Sequence, residues 1–111
     1  MALPKKFNLS DKSEINKVFR EGKVIISPWF NIRFIYTGSK LSRFSVITGL
    51  KISKKAVIRN NLKRKISEII RTNVAKIKAG HDIVLMTKPK ILNESYDRLK
   101  EILIKELLKI N

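Results

Sequence analysis

Arg59, Asn60, Lys63, Arg64 and Arg71 recur at spacings that share one side of a helix across residues 56–71, AVIRNNLKRKISEIIR, with Ser67 among them. The set offers guanidinium forks, an ammonium and an amide to whatever lies outside that helix. Such a face suits phosphate, because a guanidinium fork matches two phosphate oxygens at once and its charge is permanent. Lys51, Lys54 and Lys55 just ahead of the helix, and Lys65 within it, extend the same chemistry. No Asp or Glu occurs between Glu21 and Glu68, so no acid at i,i+4 relieves the mutual repulsion of these cations. Over 111 residues the formal net charge is +16, which calls for an external polyanion, and nucleic acid is the commonest one in a cell.

The inventory for hydrolytic chemistry is thin. Acid–base or metal-assisted hydrolysis needs convergent imidazole, carboxylate or nucleophilic groups. His81 is the sole histidine, it opens an apolar run beside Asp82, and a structural or capping role suits it better than catalysis. No catalytic or metal-ligating residue is therefore expected in the chain. There is no cysteine and no glycine-rich phosphate loop, which removes disulfides, thiolate chemistry and a nucleotide-cofactor cradle. No run approaches the roughly 18 apolar residues needed to cross a bilayer, and MALPKKFNLS lacks the apolar centre of a signal peptide, so a cytoplasmic protein with no membrane partner is expected. A helix-turn-helix reader of DNA would place short helices before the basic one, whereas β-rich segments precede it here, so DNA is not expected as a partner either. Phe19 and Trp29 carry rings that either stack on unpaired bases or pack in the core.

These side chains need a body to hold them. Ile58, Leu62, Ile66, Ile70 and Val74 form an apolar stripe along the basic helix, which the pattern extends over 56–78 until Ala79-Gly80 stops it. With 43% hydrophobic residues the chain reads as one domain spanning 1–111. A first helix is predicted over 11–21, capped by Ser10, with Gly22 closing it in a left-handed conformation. Strands follow at 23–26 and 29–36; alternation in the latter puts Phe30, Ile32, Phe34 and Tyr36 on one face and Trp29, Asn31, Arg33 and Ile35 on a wetter one. Turn residues 37–40 predict a hairpin to a strand at 43–50, with Gly49 as a bulge. Residues 81–87, HDIVLMT, read as a buried strand, and Asn93 or Ser95 caps a last helix striped by Tyr96, Leu99, Leu103, Leu107 and Ile110. The predicted order is αβββαβα.

Ala56 to Arg71 resembles the signature of the bacterial ribonuclease P protein subunit, in which an alanine is followed by an Arg-Asn pair and a hydrophobic-Lys-Arg triplet. LPKKFNLS and KVFREGK resemble the opening of that family, SRFSVITG its third strand and HDIVLMTKP its last. The resemblance implies an α+β fold, a single αβββαβα domain like domain 2 of ribosomal protein S5, with a left-handed βαβ crossover through the basic helix. It implies as partners a large catalytic RNA and precursor tRNA, whose 5′ leader is cut off by magnesium ions held mainly by the RNA. It implies contacts to the catalytic RNA from Arg59, Asn60, Lys63 and Arg64, to which Lys51, Lys54, Lys55, Lys65 and Arg71 are added by their charge, and a leader cleft lined by Phe19, Asn31 and Arg33, to which Trp29 is added by its place on the same strand face. Ile15 stands where the family often has a second aromatic residue, which leaves Phe19 as the one ring on the first helix. The alternative is a structural RNA-binding protein of the ribosome with no part in cleavage.

Overall fold

The most apolar strand occupies an interior position in the sheet. In a computed structural model describing residues 3–49 and 51–110, β4 (His81–Thr87) lies between β2 (Phe30–Tyr36) and β3 (Arg43–Ile47), with β1 (Lys23–Ile26) on the far edge of β2. β4 pairs antiparallel with β2, in register from Phe30↔Thr87 to Tyr36↔His81, and parallel with β3, from Arg43↔Asp82 to Ile47↔Met86. The hairpin expected between β2 and β3 is therefore absent. His81 to Leu85 are buried without a break, and a strand apolar on both faces is favoured between two neighbours rather than at an edge. Parallel pairing of β3 with β4 then requires a long crossover, which α2 (Ala56–Asn73) supplies.

Two layers cover the sheet. α2 and α3 (Tyr96–Leu107) pack on Phe30, Ile32, Phe34, Phe44, Val46, Ile83 and Leu85 through Leu62, Ile66, Ile69, Ile70, Leu99, Ile102, Leu103 and Leu107. α1 (Lys12–Glu21) covers the other face, where Ile15, Val18 and Phe19 join Leu9, Ile35, Val84 and Met86. Asn31, Arg33 and Ile35 alternate with the core residues of β2 as expected, but beneath α1 they are half-buried rather than wet.

Several element ends differ from the sequence expectation, each for a local reason. Asp11, not Ser10, caps α1: its Oδ1 accepts the amides of Ser13 at 2.8 Å and Glu14 at 3.1 Å. Those bonds, the Glu14 amide first, hold its carboxyl below the usual range. Gly22 is extended (φ −78°, ψ 160°) rather than left-handed. Glycine suits it because a Cβ there would meet Val18 O at 2.4 Å and Phe34 O at 2.7 Å, so the residue lets the helix end lie directly on β2. α2 stops at Asn73, whose side-chain amide turns back onto Ile69 O at 2.8 Å, and a tight turn over Val74–Lys76 follows. Of the two candidates for α3, Ser95 is the cap, while Asn93 belongs to the turn Pro89–Asn93. β3 ends at Ile47, so Gly49 lies past the strand in open space, and Leu50 falls outside the described residues.

One ion cluster ties α1 to the sheet. Arg43 on β3 donates through Nη1 and Nη2 to Glu14 of α1 at 3.1 and 2.6 Å, and through Nε and Nη2 to Asp82 of β4 at 3.0 and 2.9 Å. Glu14 first and Asp82 second raise the guanidinium further above its already high ordinary pKa, against the effect of burial.

Two mutations test this architecture. Leu62→Ala deletes a buried side chain in the middle of α2 and is expected to cost about 2–5 kcal/mol of unfolding free energy in urea titration. Arg43→Ala removes charged hydrogen bonds shared by three elements; a loss of roughly 1.5–3 kcal/mol is expected, accompanied by faster amide exchange in α1. Unchanged stability and exchange would show that α1 docks through its apolar contacts alone.

Candidate RNA interface

α2 separates its two chemistries by face. Leu62, Ile66, Ile69 and Ile70 are buried, whereas Asn60, Lys63, Arg64, Lys65 and Arg71 are exposed and Arg59 is half-exposed. Ser67, expected on the outer surface, is buried. An apolar row repeated every four residues drifts by about 40° per step on a helix of 3.6 residues per turn, so the buried arc widens to take in Ser67 and Ile69. Lys51, Lys54 and Lys55 are exposed on the loop that enters α2. Arg59 ties that loop down, donating from Nη1 to Ser53 O at 2.8 Å.

No side chain caps α2 at Lys55, and its first turn holds no acid, so the positive end of the helix dipole adds to the lysines around it. Arg64 gives one Nη2 bond to Asn61 Oδ1 at 2.8 Å and keeps the rest of its fork outward. Arg71 differs from the others. It binds Glu68, which lies one turn before it, so its charge is compensated within the helix; the pairing lowers the Glu68 carboxyl and raises the guanidinium. The concentrated positive surface therefore runs from Lys51 to Lys65.

A second group gathers where α1 meets β2. The Arg33 guanidinium lies 5.5 Å from the centre of the Phe19 ring, which also packs against the cluster around Val18 and Val84. Asn31 stands next to Arg33 on the same strand face. Asn31 Oδ1 and Arg33 Nε are shielded from solvent with no hydrogen-bond partner among the described residues. Buried polar atoms of this kind are completed by a neighbouring group or by an ordered water.

Trp29 does not join them. β2 begins at Phe30, and Ser27 Oγ bends the chain before it by bonding the Trp29 and Phe30 amides and Phe30 O, so strand alternation does not reach Trp29. Its ring packs on the α2 and α3 layer, donates from Nε1 to Glu94 Oε2 at 3.0 Å, and is faced by Lys90 and Arg98.

His81 and Asp82 point to opposite faces of β4, as neighbours on a strand must. His81 is buried beside Phe34 and Tyr36 with Nδ1 3.1 Å from Ala79 O, while Asp82 is engaged by Arg43. Among the described residues no three His, Asp or Glu side chains converge as metal ligands, and no helix is long and apolar enough to cross a membrane. Arg43 is the residue sequence reasoning passed over, since it stood only as one cation among many.

Comparison with known proteins adds an independent line. The family model described as Ribonuclease P matches residues 3–111. The ribonuclease P protein component of Syntrophomonas wolfei is 32% identical over 99 residues, covering 89% of this chain and 82% of that protein. That of Thermotoga maritima is 35% identical over 91 residues, covering 82% and 76%. The solved RNase P protein from Thermotoga maritima superposes with a TM-score of 0.87 at 30% identity over 94% of this chain and 97% of that one. A Staphylococcus aureus RNase P protein matches in fold, with a TM-score of 0.82 at 17% identity over 93% of each chain. With its basic α2 and the αβββαβα order in place, this chain belongs to the ribonuclease P protein family.

Proposed function

We propose that this protein is the RNA-binding subunit of ribonuclease P: the outer face of α2 and the Lys51–Lys55 loop hold the catalytic RNA, and the cleft of Phe19, Asn31 and Arg33 receives the 5′ leader of precursor tRNA. The observation that carries this reading is a helix whose buried stripe is satisfied by the core while its outer face, from Lys55 to Lys65, has no acid to balance it. RNA phosphates supply that balance. In the cleft, an unpaired base can stack on Phe19 beside the half-buried side chains of Asn31 and Arg33, and stacking on an aromatic ring is the usual manner of reading single-stranded RNA.

Magnesium prefers oxygen ligands, mostly carboxylates and phosphates, and the outer face of α2 offers ammonium and guanidinium groups instead. The protein side chains there do not fit the metal. Their part is to neutralise and position phosphates, and cleavage of the leader is assigned to ions held by the RNA.

Reconstitution tests both levels. Adding the protein to the catalytic RNA is expected to raise precursor-tRNA affinity and processing, whereas a ribosomal-type RNA binder would leave processing unchanged. Roughly 6–10 phosphate contacts would cost about 10³–10⁵ in RNA affinity between about 50 and about 200 mM salt. Arg64→Ala is expected to weaken assembly by about 1–3 kcal/mol and to lower the log–log salt slope by about one, with thermal unfolding unchanged. A salt-independent affinity would contradict phosphate binding as its source.

A further inference from the structure

A cavity of about 660 Å³ opens between α1 and the sheet, beyond Ile35 on β2. Its floor is the Arg43 cluster. One guanidinium is shared there by two carboxylates, Glu14 and Asp82, so the floor carries one uncompensated negative charge (+1 − 2 = −1) and carboxylate oxygens with lone pairs to spare. Its rim is opposite in sign. Lys6 from the turn before α1, Lys17 from α1 and Lys40 from the β2–β3 loop are exposed, and none is paired with a carboxylate among the described residues. Ile35 and the exposed Leu41 supply apolar wall.

This arrangement selects among ligands. A bare phosphate meets a negative floor, and a metal cation meets four positive side chains, Lys6, Lys17, Lys40 and Arg43. A nucleotide answers every part: phosphates to the rim lysines, the base against Ile35 and Leu41, and an exocyclic amino group donating to a floor carboxylate, as cytosine amines do to Asp and Glu. The volume lies in the range of small-ligand sites. Ile35 follows Arg33 on the same face of β2, two residues or about 7 Å along the strand, which is close to one nucleotide step.

We propose that this cavity is a second single-strand subsite, adjoining the Phe19–Arg33 cleft, that holds one RNA nucleotide with an amino-bearing base and disfavours uracil. The proposal rests on the reading of that cleft as a leader site. Because floor and rim come from α1, β3, β4 and two loops, the subsite exists only while Arg43 keeps α1 seated.

Fluorescence anisotropy of the full-length protein with oligocytidylate and oligouridylate of equal length, at matched salt, tests it. The expected result is several-fold tighter binding of oligocytidylate. Lys17→Ala combined with Lys40→Ala weakens both by about tenfold with an unchanged thermal transition, and Glu14→Gln, whose amide both donates and accepts, removes the preference. Equal affinity of the unmodified protein for the two oligomers, or lysine variants that bind as the unmodified protein does, overturns the subsite. The cleft reading fails on separate ground, if Phe19→Ala and Arg33→Ala leave the leader-length dependence of precursor-tRNA affinity in the reconstituted particle intact.

Discussion

β4 is apolar on both faces, and most of the architecture is a response to that constraint. An apolar run from Ile83 to Leu85 must be covered twice and flanked twice. β2 and β3 flank it, α2 and α3 cover one face, and α1 with Leu9 covers the other. The parallel partner β3 compels a helical crossover, and the crossover is the basic helix. The basic surface is thus carried on an element whose position is fixed by the core.

α1 is the lighter of the two layers. Its apolar contact with the sheet is small, centred on Val18 and Val84, and Arg43 supplements it with charged bonds to Glu14 and Asp82. A thin layer over a sheet leaves gaps along its edges. The lysine-rimmed cavity beyond Ile35 occupies one of them. The same half-covered face therefore supplies stability at its centre and polar, cationic openings around it.

Local signals were legible in the sequence and long-range ones were not. β1 and β4 fall where β-branched and apolar runs place them, Ser95 caps α3, and the αβββαβα order follows from the alternation of periods. The β2–β3 hairpin was inferred from adjacency in the chain, and it lost to β4, a better partner for both strands that arrives 34 residues after β3 ends at Ile47 and begins at His81. Trp29 was assigned to the cleft by an alternation that starts one residue later. Arg43 could be counted among the cations but not understood, because its partners lie 29 and 39 residues away. The basic face of α2 was readable because sign and period are both local properties.

The central claim is that the charge on the outer face of α2 is compensated by RNA. Lysine acylation footprinting of the protein, free and bound to ribonuclease P RNA, addresses it directly. Lys51, Lys54, Lys55, Lys63 and Lys65 are exposed in the free protein and should lose reactivity in the complex, while the exposed Lys100 and Lys105 on α3 keep theirs. Protection of the α3 lysines, with those from Lys51 to Lys65 left reactive, would contradict the account.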